Sequence, residues 1–168
     1  MKYIESINKC LHQLFEANEK TFLIGEDLLD PYGGAFKASK GISTSFPERV
    51  ISTPISESGF LGFAIGMALQ GYRPIVEIMF GDFITLCADQ IVNHACKFKG
   101  MYNNQVDVPL VVRTPMGGGR GYGPTHSQSI EAMFLNVPRL VMESPSIFDQ
   151  PGELLTHSIL DIDEPVFC

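Results

Sequence analysis

No two cysteines in this sequence form a CxxC pair, and no Cys/His cluster has the spacing of a metal site. Of Cys10, Cys87, Cys96 and Cys168, three lie in apolar surroundings or at the chain end. They read as reduced thiols of a cytoplasmic protein, not as a disulfide framework. Positive charge is also short. With 12 lysines and arginines against 19 aspartates and glutamates, the net charge of -7 leaves no basic footprint for nucleic acid. No run approaches the ~20 apolar residues that cross a bilayer. The first residues, MKYIESINKCLHQLF, scatter polar groups among apolar ones, which argues against a signal peptide. Internal repeats and low-complexity tracts are absent, and nothing marks a domain boundary. What is present is a chain of 168 residues, 45% of them hydrophobic, enough for one domain, 1–168, with a core of respectable size.

Ile4, Ile7, Leu11, Leu14 and Phe15 recur at three- and four-residue steps and predict a helix over 3–17. Short apolar runs predict strands at Thr21–Gly25, Arg49–Ser52, Pro74–Phe80, Pro109–Arg113, Leu140–Glu143 and Pro165–Cys168. Between them, helices are expected at 57–70, 82–99, 129–136 and 147–160, with Gly71 as a stop for the first of these. Gly59, Gly62 and Gly66 inside 57–70 cost helix propensity, and close approach of another backbone is the expected return. Unalternating strands that interleave with helices predict an α/β fold, a parallel β-sheet covered by helices on both faces. Two stretches rich in glycine, 27–48 and 115–128, are expected to be functional loops.

Three features carry possible chemistry. Glu57 stands between a strand and an apolar helix, where it is either a cap on free backbone donors or a partly buried carboxyl with a proton-transfer task. His126 ends the loop MGGGRGYGPTHSQ, and a histidine there is either structural or catalytic, since loops after strands build active sites in α/β folds. The loop's glycine amides also suit an anion nest, although it lacks the GxxxxGK[ST] pattern and fits GxGxxG only loosely. Met79, Phe80 and Phe83 are either core or a hydrophobic wall for a flat ring. Asn93 and His94 are read as structural.

Taken together and in order, FLIGED, YGGAFKASKG, PERVISTPISESGF, GYRPIVEIMFGDF, DQIVNHACK, VPLVVRTPMGGGRGYGPTHSQS and PSIFD resemble the pyrimidine-binding domain of thiamine-diphosphate enzymes. The similarity is to the beta subunit of pyruvate, branched-chain 2-oxo acid and acetoin dehydrogenases, and more distantly to transketolase. It runs from about residue 20 to the end. The resemblance implies that Glu57, in the ISE motif, faces a ring nitrogen of the cofactor's aminopyrimidine and relays a proton. It implies that Phe83, with Met79 beside it, lies against the pyrimidine, that His126 guides proton or acyl transfer, and that Glu26 is an acid near the cofactor. Departures are Thr125, where the family usually has Gln, and the more acidic ILDIDEPVF near a monovalent-cation site of some members.

The family's further C-terminal domain is not in this sequence, as in an excised domain or a split gene product. Nor does the sequence hold the GDG…N segment that binds magnesium and the diphosphate. The resemblance therefore implies thiamine diphosphate shared with an alpha-type subunit that holds the magnesium, a homodimer within a larger assembly, and a lipoyl-bearing acyltransferase as acceptor. The expected role is half of a 2-oxo acid dehydrogenase-type enzyme, inactive alone. A transketolase-like ketol transferase subunit and a non-catalytic pairing domain are the alternatives.

Overall fold

Strand residues that alternate between two apolar cores organise the chain. A computed structural model describes residues 2–168. Its six strands are β1 (Thr21–Gly25), β2 (Val50–Ser52), β3 (Arg73–Glu77), β4 (Val111–Arg113), β5 (Val141–Met142) and β6 (Val166–Phe167). They form one parallel sheet in the order β2-β1-β3-β4-β6-β5. Leu23, Ile75, Val111 and Val166 face one core, and their successors Ile24, Val76, Val112 and Phe167 face the other. Both faces of each strand are covered, so its sequence reads as an unbroken apolar run.

Helices α1 (Tyr3–Ala17) and α5 (Pro151–Leu160) cover the first face with Leu11, Leu14, Phe15, Leu155 and Ile159. Helix α3 (Glu57–Leu69) covers the second with Phe60, Leu61, Ala64 and Ile65, joined by the segment 81–101. A single turn, α2 (Ile42–Ser45), lies in the long loop after β1. Gly71 does stop α3: its φ of +86° is left-handed, and its amide donates to the Ala68 carbonyl.

Several sequence expectations need correction. The long helix over 82–99 is three pieces: a 3-10 segment Gly81–Cys87, a π-helical segment Gln90–Ala95, and α4 (Cys96–Met101). One cause is visible at Thr85, whose hydroxyl donates to the Asp82 carbonyl at 3.0 Å and competes with helical bonding. Gly81, the first residue of these pieces, packs so tightly beneath Met116 that any side chain there would collide with it. The expected helix at 129–136 is one 3-10 turn, Glu131–Met133, because only Phe134 of that stretch is buried and Met133 and Leu135 are exposed. Helix α5 begins at Pro151, since Ile147 and Phe148 are 93% and 90% exposed and offer no apolar face to bury. Strand β3 ends at Glu77, before Phe80. Arg49 belongs to the turn before β2, where its guanidinium bonds the carbonyls of Phe15 and Asn18. No other backbone approaches the glycines of α3. A side chain added at Gly62 or Gly66 would meet nothing within 4 Å, and one at Gly59 only Ser56.

The chain leaves β1 for β2 on one side and reaches β3 on the other. That reversal opens a crevice at the carboxyl ends of β1 and β3, the place where open α/β sheets bind ligands.

Candidate functional site

Three loops meet at this crevice. The first follows β1 and carries Glu26 and Phe36. The second follows β3 and carries Phe80, Asp82 and Phe83. The third follows β4 and carries Arg120, Tyr122 and His126. Helix α3 adds Glu57 from the adjoining strand end.

Glu57 is the first residue of α3 and is buried, 7% exposed. Among the described residues its carboxyl makes no hydrogen bond, so it does not serve as a side-chain cap. Glu26, 8% exposed, has one carboxyl oxygen, Oε1, sealed from solvent without a partner. Burial pushes the Glu26 carboxyl above its ordinary range, and the charges of Glu57 and Asp27 push it further. The same two carboxyls act on Cys87: burial first, then Glu57 and Glu26, raise its thiol to about 12. Two acids and a neutral thiol thus share a poorly solvated nest.

Beside this nest the aromatic rings form a wall. Phe80 is its hub, with Phe36, Phe83, Tyr122 and His126 all at 4.7–5.9 Å between ring centroids and tilted edge-to-face. His126 also meets Phe83 at 5.1 Å. Its Nδ1 lies 2.9 Å from the Thr125 hydroxyl, and Nε2 makes no hydrogen bond among the described residues. If the hydroxyl donates, Nε2 carries the ring hydrogen and can donate a hydrogen bond to a ligand. Behind the wall, Asp82 accepts a hydrogen bond from Gln128 at 2.6 Å. Burial works against the Asp82 charge, but the Gln128 amide, backbone donors and the nearby His126 ring outweigh it and hold the carboxyl below its usual range.

The structure therefore brings Glu57 and Glu26 together, and His126 and Phe83 together. Met79 is half-buried and joins neither core, and the Phe80 ring packs edge-to-face on Phe83. Phe36, Tyr122, Arg120 and Cys87 were not singled out from the sequence. The glycine loop is left-handed at Gly119, Gly121 and Gly123, where φ is +72°, +78° and +84°. Its glycines are required by backbone shape, because added side chains there would meet open space. Asn93 and His94 bond to Asp89 and have no part in the site.

A buried ion pair, Glu77 with Arg113, joins the ends of β3 and β4. Gly34 packs against the Glu77 carboxyl and ties the first loop to it. A cavity of about 680 Å³ lies beyond this pair over β4, β6 and β5, lined by Arg113, Met142, Leu154 and Cys168 among others. Neither Glu57 nor His126 lines it.

Residues 1–167 match the family described as "Transketolase, pyrimidine binding domain". The chain belongs to this family. Among curated proteins it is 41% identical to 2-oxoisovalerate dehydrogenase subunit beta of Bacillus subtilis, over 99% of this chain and 51% of that one. It is 36% identical to the acetoin:2,6-dichlorophenolindophenol oxidoreductase subunit beta of Cupriavidus necator, over 97% of this chain and 51% of that one. The chain spans about half the length of the curated relatives it matches. A solved structure named "Split gene transketolase, inactive beta4 tetramer" has the same fold, with a TM-score of 0.76 at 23% identity over 98% of this chain and 49% of that one.

Proposed function

We propose that this chain is the pyrimidine-binding half of a thiamine-diphosphate-dependent enzyme of the 2-oxo acid dehydrogenase type, completed by an alpha-type subunit. The observation that carries the reading is Glu57, a buried carboxyl that accepts no hydrogen bond in the fold, close to the buried Glu26 carboxyl and at the head of the helix that packs on the segment carrying Phe83. These residues fit an aminopyrimidine: a flat ring needs an apolar face, and its ring nitrogen needs a carboxyl that can hold a proton. Bound there, thiamine diphosphate would supply a nucleophilic carbon and an electron sink for decarboxylation.

The chain's own groups do the rest. Glu57 presents its carboxyl to a ring nitrogen for proton transfer, with the Glu26 carboxyl beside it. Phe80 and Phe83 shield the ring from water. His126 offers Nε2 for proton transfer as the acyl group passes to its acceptor, the lipoyl arm of an acyltransferase. Among the described residues no group of three His, Cys, Asp or Glu side chains could hold a metal ion. We therefore assign the magnesium and the diphosphate to the alpha-type partner.

The face of α3 turned from the sheet suits such assembly. Gly59, Gly62 and Gly66 leave it flat, and Phe63 and Ile55 are 55% and 84% exposed. A twofold dimer of this chain within a larger complex follows from that face. The solved relative is named as a beta4 tetramer, an assembly of beta chains alone, and self-association of this chain is in keeping with it. Four free thiols suit a reducing, cytoplasmic setting. A ketol transfer of the transketolase kind uses the same half-site. The higher identity to dehydrogenase beta subunits favours the 2-oxo acid reading.

Glu57→Gln tests it. Proton exchange at the thiazolium carbon, followed by deuterium uptake in the complex with the alpha-type subunit, should slow by about 100-fold or more. Exchange within a few-fold of the unsubstituted complex would overturn the assignment.

A further inference from the structure

Arg120 is an arginine without an acidic partner. Among the described residues no carboxylate lies within ion-pair distance of it, although the chain carries 19 acidic side chains. Its guanidinium carbon stands 5.6 Å from the Phe36 ring, 5.7 Å from Phe80 and 5.6 Å from Tyr122. One donor is used: Nη2 bonds the His126 carbonyl at 3.0 Å. Nε is sealed from solvent with no hydrogen-bond partner.

A guanidinium has five N–H donors in a rigid planar fork. Here three rings flank the half-buried cation, Nε is sealed from solvent, and Nη2 alone has a partner among the described residues. A buried N–H without a partner costs free energy that an incoming acceptor returns. The bond to the His126 carbonyl anchors this charge to the residue whose ring completes the wall. Together these features describe a pre-oriented receptor for an oxyanion, which binds a planar fork through two parallel hydrogen bonds.

We infer that Arg120 anchors an anionic group of the substrate, a carboxylate or a phosphate, that is distinct from the group lost in the reaction. The distinction follows from the chemistry. A carboxylate that leaves as carbon dioxide gives up its charge, so a guanidinium fixed on it would stabilise the starting state over the transition state. An anion at the far end of the substrate keeps its charge throughout, and holding it orients the reacting carbonyl. The substrate class is thus an oxo acid with a second carboxylate, or a phosphorylated ketose. The inference rests on the proposed thiamine pocket for the word substrate; the anion site itself does not.

The purified chain is titrated without cofactor, and the Arg120 Nε–H and His126 ring signals are followed by nuclear magnetic resonance. The probes are 2-oxoglutarate, fructose 6-phosphate and, as an uncharged control, fructose. At least one anion should give a saturable shift at millimolar concentration that weakens with added salt, while fructose gives none. The anion that saturates first identifies carboxylate or phosphate as the natural group. Arg120→Lys should weaken binding several-fold and Arg120→Gln should abolish it. If neither anion shifts the Arg120 signal saturably, or if the His126 shift persists in Arg120→Gln, the inference fails. Because no thiamine cofactor is present, the outcome is independent of the Glu57 exchange experiment. Should a variant fail to fold, the titration of the unsubstituted chain decides alone.

Discussion

The rings of His126 and Phe80 meet edge to face, 4.7 Å between centroids with their planes 81° apart. The contact joins the loop after β4 to the loop after β3. It holds the imidazole at the rim of the aromatic wall, with Nδ1 toward the Thr125 hydroxyl. The ring is held on two sides, by Phe80 and Phe83, and the proposed role for it is proton transfer through the nitrogen that has no partner in the fold.

His126→Ala should therefore separate two half-reactions in the assembled enzyme. Transfer to the acceptor should fall by about 100- to 10,000-fold, the usual loss for a positioned acid or base. Decarboxylation, measured with an artificial electron acceptor, should fall much less. Equal and small losses in both would leave His126 only a packing role.

Glu26 makes stability depend on pH. Its carboxyl lies above the ordinary value of 4.5 in the fold, through burial first and then the charges of Glu57 and Asp27. The folded chain thus binds this proton more tightly than the unfolded chain. The stabilisation is present in full below the unfolded value and is lost as pH rises through the folded one. Glu26→Gln removes the titration. The variant should melt higher than the natural chain at pH 7 to 8, with the gap closing as pH falls toward 4.5. Thermal unfolding at the two ends of that range measures it. A gap independent of pH would show that the carboxyl is not strained by burial.

Asp30 behaves oppositely. It accepts hydrogen bonds from the Thr44 hydroxyl at 2.7 Å, the Gly41 amide at 2.8 Å, the Ser43 hydroxyl at 2.9 Å and the Thr44 amide at 3.0 Å. The Thr44 hydroxyl and the Gly41 amide contribute most to holding its carboxyl down at about 2, from an ordinary 3.8. Its contribution is present above 3.8 and lost as pH falls through about 2. These bonds pin both ends of the loop that carries Phe36. Asp30→Ala should cost about 1–3 kcal/mol in urea unfolding at pH 7. The same substitution should broaden the Phe36 ring signals, since the clamp that lays Phe36 on Phe80 is gone.

The sequence made the fold legible where packing is local and periodic. Helix α1 and strand β1 fall at their expected bounds, because one apolar stripe and one apolar run suffice to define them. The segment 81–101 was illegible for the opposite reason. Its first residue, Gly81, packs beneath Met116, which reaches it from a loop after the next strand. Glu57 and His126 were found through motif resemblance. Spacing alone favoured a cap for Glu57 and a structural role for His126. Strand β3 ends at Glu77, so its alternation does not extend to Met79, Phe80 or Phe83, and the Phe80–Phe83 contact could not be read from it. Phe36, Arg120 and Tyr122 come from glycine-rich loops with no periodicity, and only the closed fold brings them to one place.

The last prediction concerns the chain by itself. The proposed half-site would present Glu57, Glu26, Phe80 and Phe83 to one side of a bound ring. The described residues supply no cluster of metal ligands for a diphosphate's counter-ion. A diphosphate held without its magnesium leaves most of its charge facing water and contributes little affinity. The pyrimidine is covered on one face, whereas good pockets enclose ~70–90% of their ligand. Isothermal titration of the purified chain with thiamine diphosphate and magnesium should therefore give a dissociation constant no tighter than about 1 mM, close to -4 kcal/mol. Adding the alpha-type subunit should tighten it by orders of magnitude, and Glu57→Gln should weaken the assembled site more than the isolated one. A one-site micromolar curve from the chain alone would mean that it carries a complete diphosphate site of its own, and the assignment of magnesium to a partner would fall.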